Sequence, residues 1–160
     1  MDSNRAFRTV STALAAVLGF ALPGWATPRS GSLIVPGRAV GPVSLGMRLE
    51  QLVPHLGPPV GPVRPREGAR IAWPARGLTV RLDREGRVDA VFVDSPEYRT
   101  AQGVGVGSSK DEVLAAFGPP SHGQEDRNTL ILAYPGLGIS FAIRKDRGGR
   151  VEVVMVYQPG

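Results

Sequence analysis

The 160-residue chain has no cysteine, two histidines and few aromatic side chains, 6% Phe, Trp and Tyr together. Each shortage excludes something. Without cysteine there is no disulfide, no thiol nucleophile and no attachment point for a bacterial lipid anchor. His55 and His122 lack a His, Cys or acidic partner at the spacing zinc sites use, so no metal or other cofactor is read. Neither histidine stands with a serine in a nucleophile–base pattern, and no catalytic residues are assigned. Lysine is scarce too, present only at Lys110 and Lys145, and arginine carries the basic charge. A net charge of +5 with so few aromatics does not suggest a nucleic-acid partner. Long apolar runs are also missing. The longest, Val10 to Leu22, has 13 residues, against about 20 for a transmembrane helix.

That run belongs to a three-part pattern. Arg5 and Arg8 precede it, and Pro23-Gly24-Trp25-Ala26 ends it, with Gly24 and Ala26 at the −3 and −1 positions of a cleavage site. Residues 1–26 therefore read as a secretory signal peptide, with an uncleaved anchor as the alternative. The expected product is periplasmic or secreted, without a stable membrane anchor. Removing Met1 to Ala26 leaves 17 basic and 13 acidic residues, a charge of +4.

The rest is written twice. Gly46 to Pro59 and Gly107 to Pro120 share an offset of 61 positions, kept at Trp73/Tyr134 and Gly77/Gly138 and lengthened to 63 at Gly86/Gly149. Such a register reads as a duplicated structural unit. The division expected is a leader at 27–42, a first repeat at 43–94, a linker at 95–103 and a second repeat at 104–160. Each repeat opens on a short helix. Ser109 and Glu112 form a capping box, and Leu49, Leu52, Val53 and Leu56 form one helical stripe. Gly57 and Gly118 end the helices, before Pro-Pro pairs. Pro54 predicts a short or tightened first helix. Three strands follow in each half, among them Leu78 to Asp83 and Ile139 to Arg144, which alternate apolar and polar residues. The fold class expected is α+β, two tandem helix-plus-three-strand repeats with short helices on one face of an antiparallel sheet.

A sheet covered on one side leaves the other side free. Strict alternation assigns Arg81, Val91, Val93, Arg144, Val154 and Val156 to that free face. The valines suggest a partner-binding strip rimmed by arginine; central strands, or cover by the leader or another subunit, account for them equally well. Trp73 and Tyr134 occupy matching places before a proline, where they serve the core or form a paired aromatic platform. Seven arginines between Gly61 and Val88 (64, 66, 70, 76, 81, 84, 87) form either a patch for an acidic partner or an ordinary charged surface. Gly103-Val-Gly-Val-Gly-Ser-Ser-Lys110 departs from the phosphate-loop spacing, because Lys110 does not follow a glycine.

The lead-ins Gly41-Pro-Val-Ser-Leu-Gly-Met47 and Val104-Gly-Val-Gly-Ser-Ser-Lys-Asp-Glu-Val113, with the Gly-Pro-Pro helix ends and the Gly-Arg-Val strand starts, resemble the SmpA/OmlA (BamE) type of small exported protein. They are also similar to the tandem-repeat β-lactamase inhibitory proteins. The resemblance implies a helix-over-sheet unit and a role in binding a protein or cell-envelope component. The sequence thus points to an exported, non-enzymatic interaction module. An inhibitor of a secreted enzyme, an enzyme on an acidic envelope substrate and a structural envelope protein are the other readings.

Overall fold

A computed structural model describes residues 31–60 and 68–160. The expected signal peptide, the start of the leader, and Arg64 and Arg66 lie outside the described residues. Eleven strands and two α-helices follow in order: β1 (Leu33–Val35), β2 (Ala39–Val40), β3 (Val43–Ser44), α1 (Leu49–Leu56), β4 (Arg70–Trp73), β5 (Leu78–Leu82), β6 (Val88–Val93), β7 (Arg99–Thr100), α2 (Lys110–Phe117), β8 (His122–Glu125), β9 (Thr129–Tyr134), β10 (Ile139–Arg144) and β11 (Arg150–Tyr157). They build a seven-stranded sheet, β4-β5-β6-β11-β10-β9-β8, and a four-stranded sheet, β3-β2-β1-β7.

This corrects the expected fold class. The described chain is mostly β, with two sheets and two eight-residue helices, rather than two helix-plus-three-strand repeats. The second sheet is the main difference. Its strands are two or three residues long, too short to show an alternation. They come from the segments read as leader, lead-in and linker, and β7 in that linker pairs in parallel with β1. A further strand, β8, pairs with β9 beyond the three strands expected in the second repeat.

Local chemistry explains the elements that were anticipated. The Ser109 hydroxyl accepts from the Glu112 N–H at 3.2 Å, while the Ser109 N–H donates to the Glu112 carboxylate at 2.8 Å, so two free donors at the start of α2 are satisfied. At α1 the cap uses backbone groups of Arg48: its N–H donates to Gln51 Oε1 at 2.9 Å and its carbonyl accepts from the Gln51 N–H at 3.0 Å. Pro54 lies within α1 without shortening it relative to α2. Its missing N–H falls on the exposed side. Gly57 and Gly118 end the helices at φ 82° and 75°, a conformation that glycine adopts without steric cost.

The large sheet is organised around its middle. β6 and β11 pair antiparallel, with Phe92 opposite Met155 and Val91 opposite Val156. One face is covered. Leu52, Leu56 and Val113 from the helices and Ile34, Val40 and Val43 from the small sheet share a single core with Val80, Val91, Phe141 and Val154. The Phe117 ring lies 5.5 Å from Tyr134 and 5.2 Å from Phe141. Backbone bonds tie each lead-in to the head of a central strand: the Gly46 N–H donates to Val88 O at 2.7 Å, and the Gly107 N–H to Val151 O at 2.8 Å.

Candidate interaction surface

Two bulges decide what the other face presents. In the β5–β6 pair Arg81 is opposite Ala90 but Leu82 is opposite Val88, so Asp89 is an extra residue. In the β10–β11 pair Ala142 is opposite Val153 but Ile143 is opposite Val151, so Glu152 is extra. An extra residue reverses the alternation beyond it. Val88 and Val91 consequently point the same way, into the core, as do Val151 and Val154.

The expected valine strip is corrected accordingly. Val91, Val93, Val154 and Val156 are each 0% exposed and lie on the covered face. Trp73 and Tyr134 are buried there as well. The Trp73 Nε1–H donates to Gly57 O at 2.9 Å and the Tyr134 hydroxyl to Gly118 O at 2.8 Å. The two aromatics thus satisfy the carbonyls that end the helices, as core residues with a polar handle and not as a platform. Burial pushes the Tyr134 phenol up.

Among the described residues the open face carries neither helix nor second layer. Across its centre runs the row Ala72, Thr79, Phe92, Met155, Ser140, Ala133 and His122, each opposite the next. Beside it run Arg70, Arg81, Ala90 and Tyr157 on one side, and Val153, Ala142, Ile131 and Gln124 on the other. Phe92, Met155, Tyr157, Val153 and Ile131 are all partly exposed. The Tyr157 and Ser140 hydroxyls are 2.9 Å apart, which draws the tyrosine across to β10. A shallow depression of about 330 Å³ lies among Arg81, Asp89, Met155, Tyr157 and Gln158. Sequence reasoning missed Phe92, Met155 and Tyr157. The available signal was the Val-Asp-Ala-Val and Val-Glu-Val-Val spacing, in which two inward valines stand three apart around an acidic residue.

Charge frames this surface. The Arg81 Nε–H is shared by both Asp89 oxygens at 2.8 and 3.1 Å, and that bond raises the Arg81 pKa. Arg144 donates to Asp146 at 2.9 and 2.8 Å and to Glu152 at 3.3 Å. The Asp146 carboxyl is held below its usual range by Arg144, as is Glu125 by Lys145. Arg70 sits over the Phe92 ring, its guanidinium carbon 4.6 Å from the centroid. Of the arginine cluster's described members, Arg70 and Arg81 are cross-strand partners on the open face; Arg76 follows β4 and Arg84 and Arg87 flank the β5–β6 turn.

Elsewhere, an apolar groove of about 460 Å³ borders α2 at Lys110, Leu114, Gly118, Pro119, Pro120 and Leu132. The glycine-rich stretch before α2 is used locally, since the Ser108 hydroxyl accepts from the Gly105 N–H at 3.1 Å and Ser109 caps the helix. Among the described residues no three His, Cys, Asp or Glu side chains form a metal-holding group, and no helix is long and apolar enough to cross a membrane.

No protein-family model matches the chain, and no curated protein matches it. Solved structures do. An extracellular protein containing an SCP domain from Bacillus anthracis is 10% identical with a TM-score of 0.50, over 86% of this chain and 49% of that one. A DUF4309 family protein, YjgB, from Bacillus subtilis is 11% identical with a TM-score of 0.48, over 69% and 78%. The uncharacterised protein YfeY from Escherichia coli is 17% identical with a TM-score of 0.37, over 51% and 65%. The chain thus spans about half the length of the SCP-domain protein and 65% of YfeY. At such identities the likeness is one of fold alone, and what this chain shares with the SCP-domain protein is its arrangement of strands and helices.

Proposed function

We propose that the protein is an exported, non-enzymatic interaction module that binds a protein partner on the open face of its seven-stranded sheet. The observation that carries this reading is the partly exposed cluster of Phe92, Met155 and Tyr157 at the centre of a face that no other described element covers. Large apolar side chains grouped on a free surface are characteristic of association sites. The basic start and short apolar run of residues 1–26 support export, to a periplasm or beyond the cell. A binding role also agrees with the resemblance to small exported proteins of the SmpA/OmlA and β-lactamase inhibitory types. The perturbed carboxyls, Glu125 and Asp146, move down, opposite to the shift a general acid needs near neutral pH.

A photo-crosslinking side chain tests the reading. Placed at Met155 in the host cell, it is expected to give one discrete adduct, reduced about tenfold or more when Phe92→Glu puts a charge at the centre of the contact. The same group at Leu137, which is 48% exposed and outside the sheet face, is the control. An adduct formed from Leu137 and not from Met155, or one indifferent to Phe92→Glu, would overturn the assignment.

A further inference from the structure

Among the described residues, Arg70, Arg81 and Arg144 flank the open face, and the last two are satisfied within the chain. Arg81 is held by Asp89, and Arg144 by Asp146 and Glu152. Among the described residues Arg70 has no carboxylate partner and no side-chain acceptor; its guanidinium lies over the Phe92 ring. It is also the cross-strand neighbour of Arg81. Arg81 on β5 is compensated by Asp89 on β6, whereas among the described residues no carboxylate compensates Arg70, at the edge of the apolar cluster. A guanidinium carries five N–H donors in a planar fork that matches a carboxylate. The aromatic ring beneath it limits where that fork can go.

We propose that the open face receives an acidic, apolar peptide segment. One apolar side chain of the segment lies on Phe92, Met155 and Tyr157, and a carboxylate beside it pairs with Arg70. The inference rests on the open face being the binding surface and adds the chemistry of the occupant. A peptide suits this layout better than a charged sheet or polymer. Binding to an anionic membrane gains little from each cation near it and needs several, whereas a single guanidinium next to an apolar cluster is matched to one discrete carboxylate with an apolar neighbour.

The test is a titration of the ¹⁵N-labelled protein with two pentapeptides, acetyl-Leu-Glu-Phe-Glu-Leu-amide and the same peptide with glutamine in place of glutamate. The glutamate peptide is expected to move the amides of Phe92, Met155 and Tyr157 and to bind at least about tenfold more tightly. Added salt should narrow that difference. Arg70→Gln, at an exposed edge position, should abolish the preference for the glutamate peptide, and a preference that survives the substitution would overturn the pairing with Arg70. Equal affinities in the unaltered protein would overturn the acidic occupant and leave the binding face standing. Shifts confined to the α2 groove, or none with either peptide, would overturn both. Phosphatidylglycerol vesicles and polygalacturonate serve as the other arms: if either moves the same amides and the glutamate peptide does not, the peptide assignment falls.

Discussion

Gly138→Ala is expected to destabilise the fold by about 3 kcal/mol, combining a left-handed conformation that costs about 1–2 kcal/mol for a residue with a Cβ and the overpacking of a site with no room. Gly138 has φ +69°, and an added Cβ would collide with the Tyr157 carbonyl oxygen and come within 2.7 Å of Gly37 Cα. Both obstacles are backbone, so no rotamer change relieves them. The position is also a junction. The Gly138 carbonyl accepts from the Tyr157 N–H at 3.0 Å and from the Gly37 N–H at 3.2 Å, joining the end of β11 to the turn between β1 and β2. Gly148→Ala separates the two causes. Gly148 has φ +80° with nothing within 4 Å of the added carbon, and only the conformational cost of about 1–2 kcal/mol is expected. Urea unfolding of the two variants measures the difference, and equal losses would contradict the close approach of the small sheet to β11.

Phe141→Ala is expected to cost about 3–5 kcal/mol, the range for truncating a large buried aromatic. Phe141 is 0% exposed. Its ring is 5.2 Å from Phe117 and 6.2 Å from Tyr134, so truncation leaves a hole between α2 and the sheet that neither neighbour fills without leaving its own contacts. Phe92→Ala is the comparison on the opposite face. There the ring is partly exposed and touches Arg70, and a loss of about 1 kcal/mol or less is expected, as for surface positions. A loss at Phe92 equal to that at Phe141 would mean that something covers the open face in the isolated protein.

The parts of this structure that could be read from residues are those where one local rule acts alone. β10 begins and ends at the residues expected, Ile139 and Arg144, because alternation and a glycine turn bound it. The α2 cap and the glycine helix ends follow from Ser109, Glu112, Gly57 and Gly118. The parts that could not be read depend on pairing between distant segments. Strands as short as Ala39–Val40 have no period of their own, and they are strands only because β1 and β3 lie on either side. β8, His-Gly-Gln-Glu, has no apolar side chain and is exposed throughout, so β9 alone makes it a strand. The most consequential miss came from one residue in each half. Strict alternation through Asp89 and Glu152 exchanges the two faces of β6 and β11, so it places the buried valines on the surface and hides the partly exposed Phe92, Met155 and Tyr157.

Because the chain has no cysteine, single cysteines can map those two faces directly. Phe92→Cys and Met155→Cys are expected to react with a maleimide in the folded protein at nearly the rate of an unfolded chain. Val91→Cys and Val154→Cys should react only as fast as the protein opens. Rapid labelling at 91 and 154 with protection at 92 and 155 would reverse the faces and contradict the account.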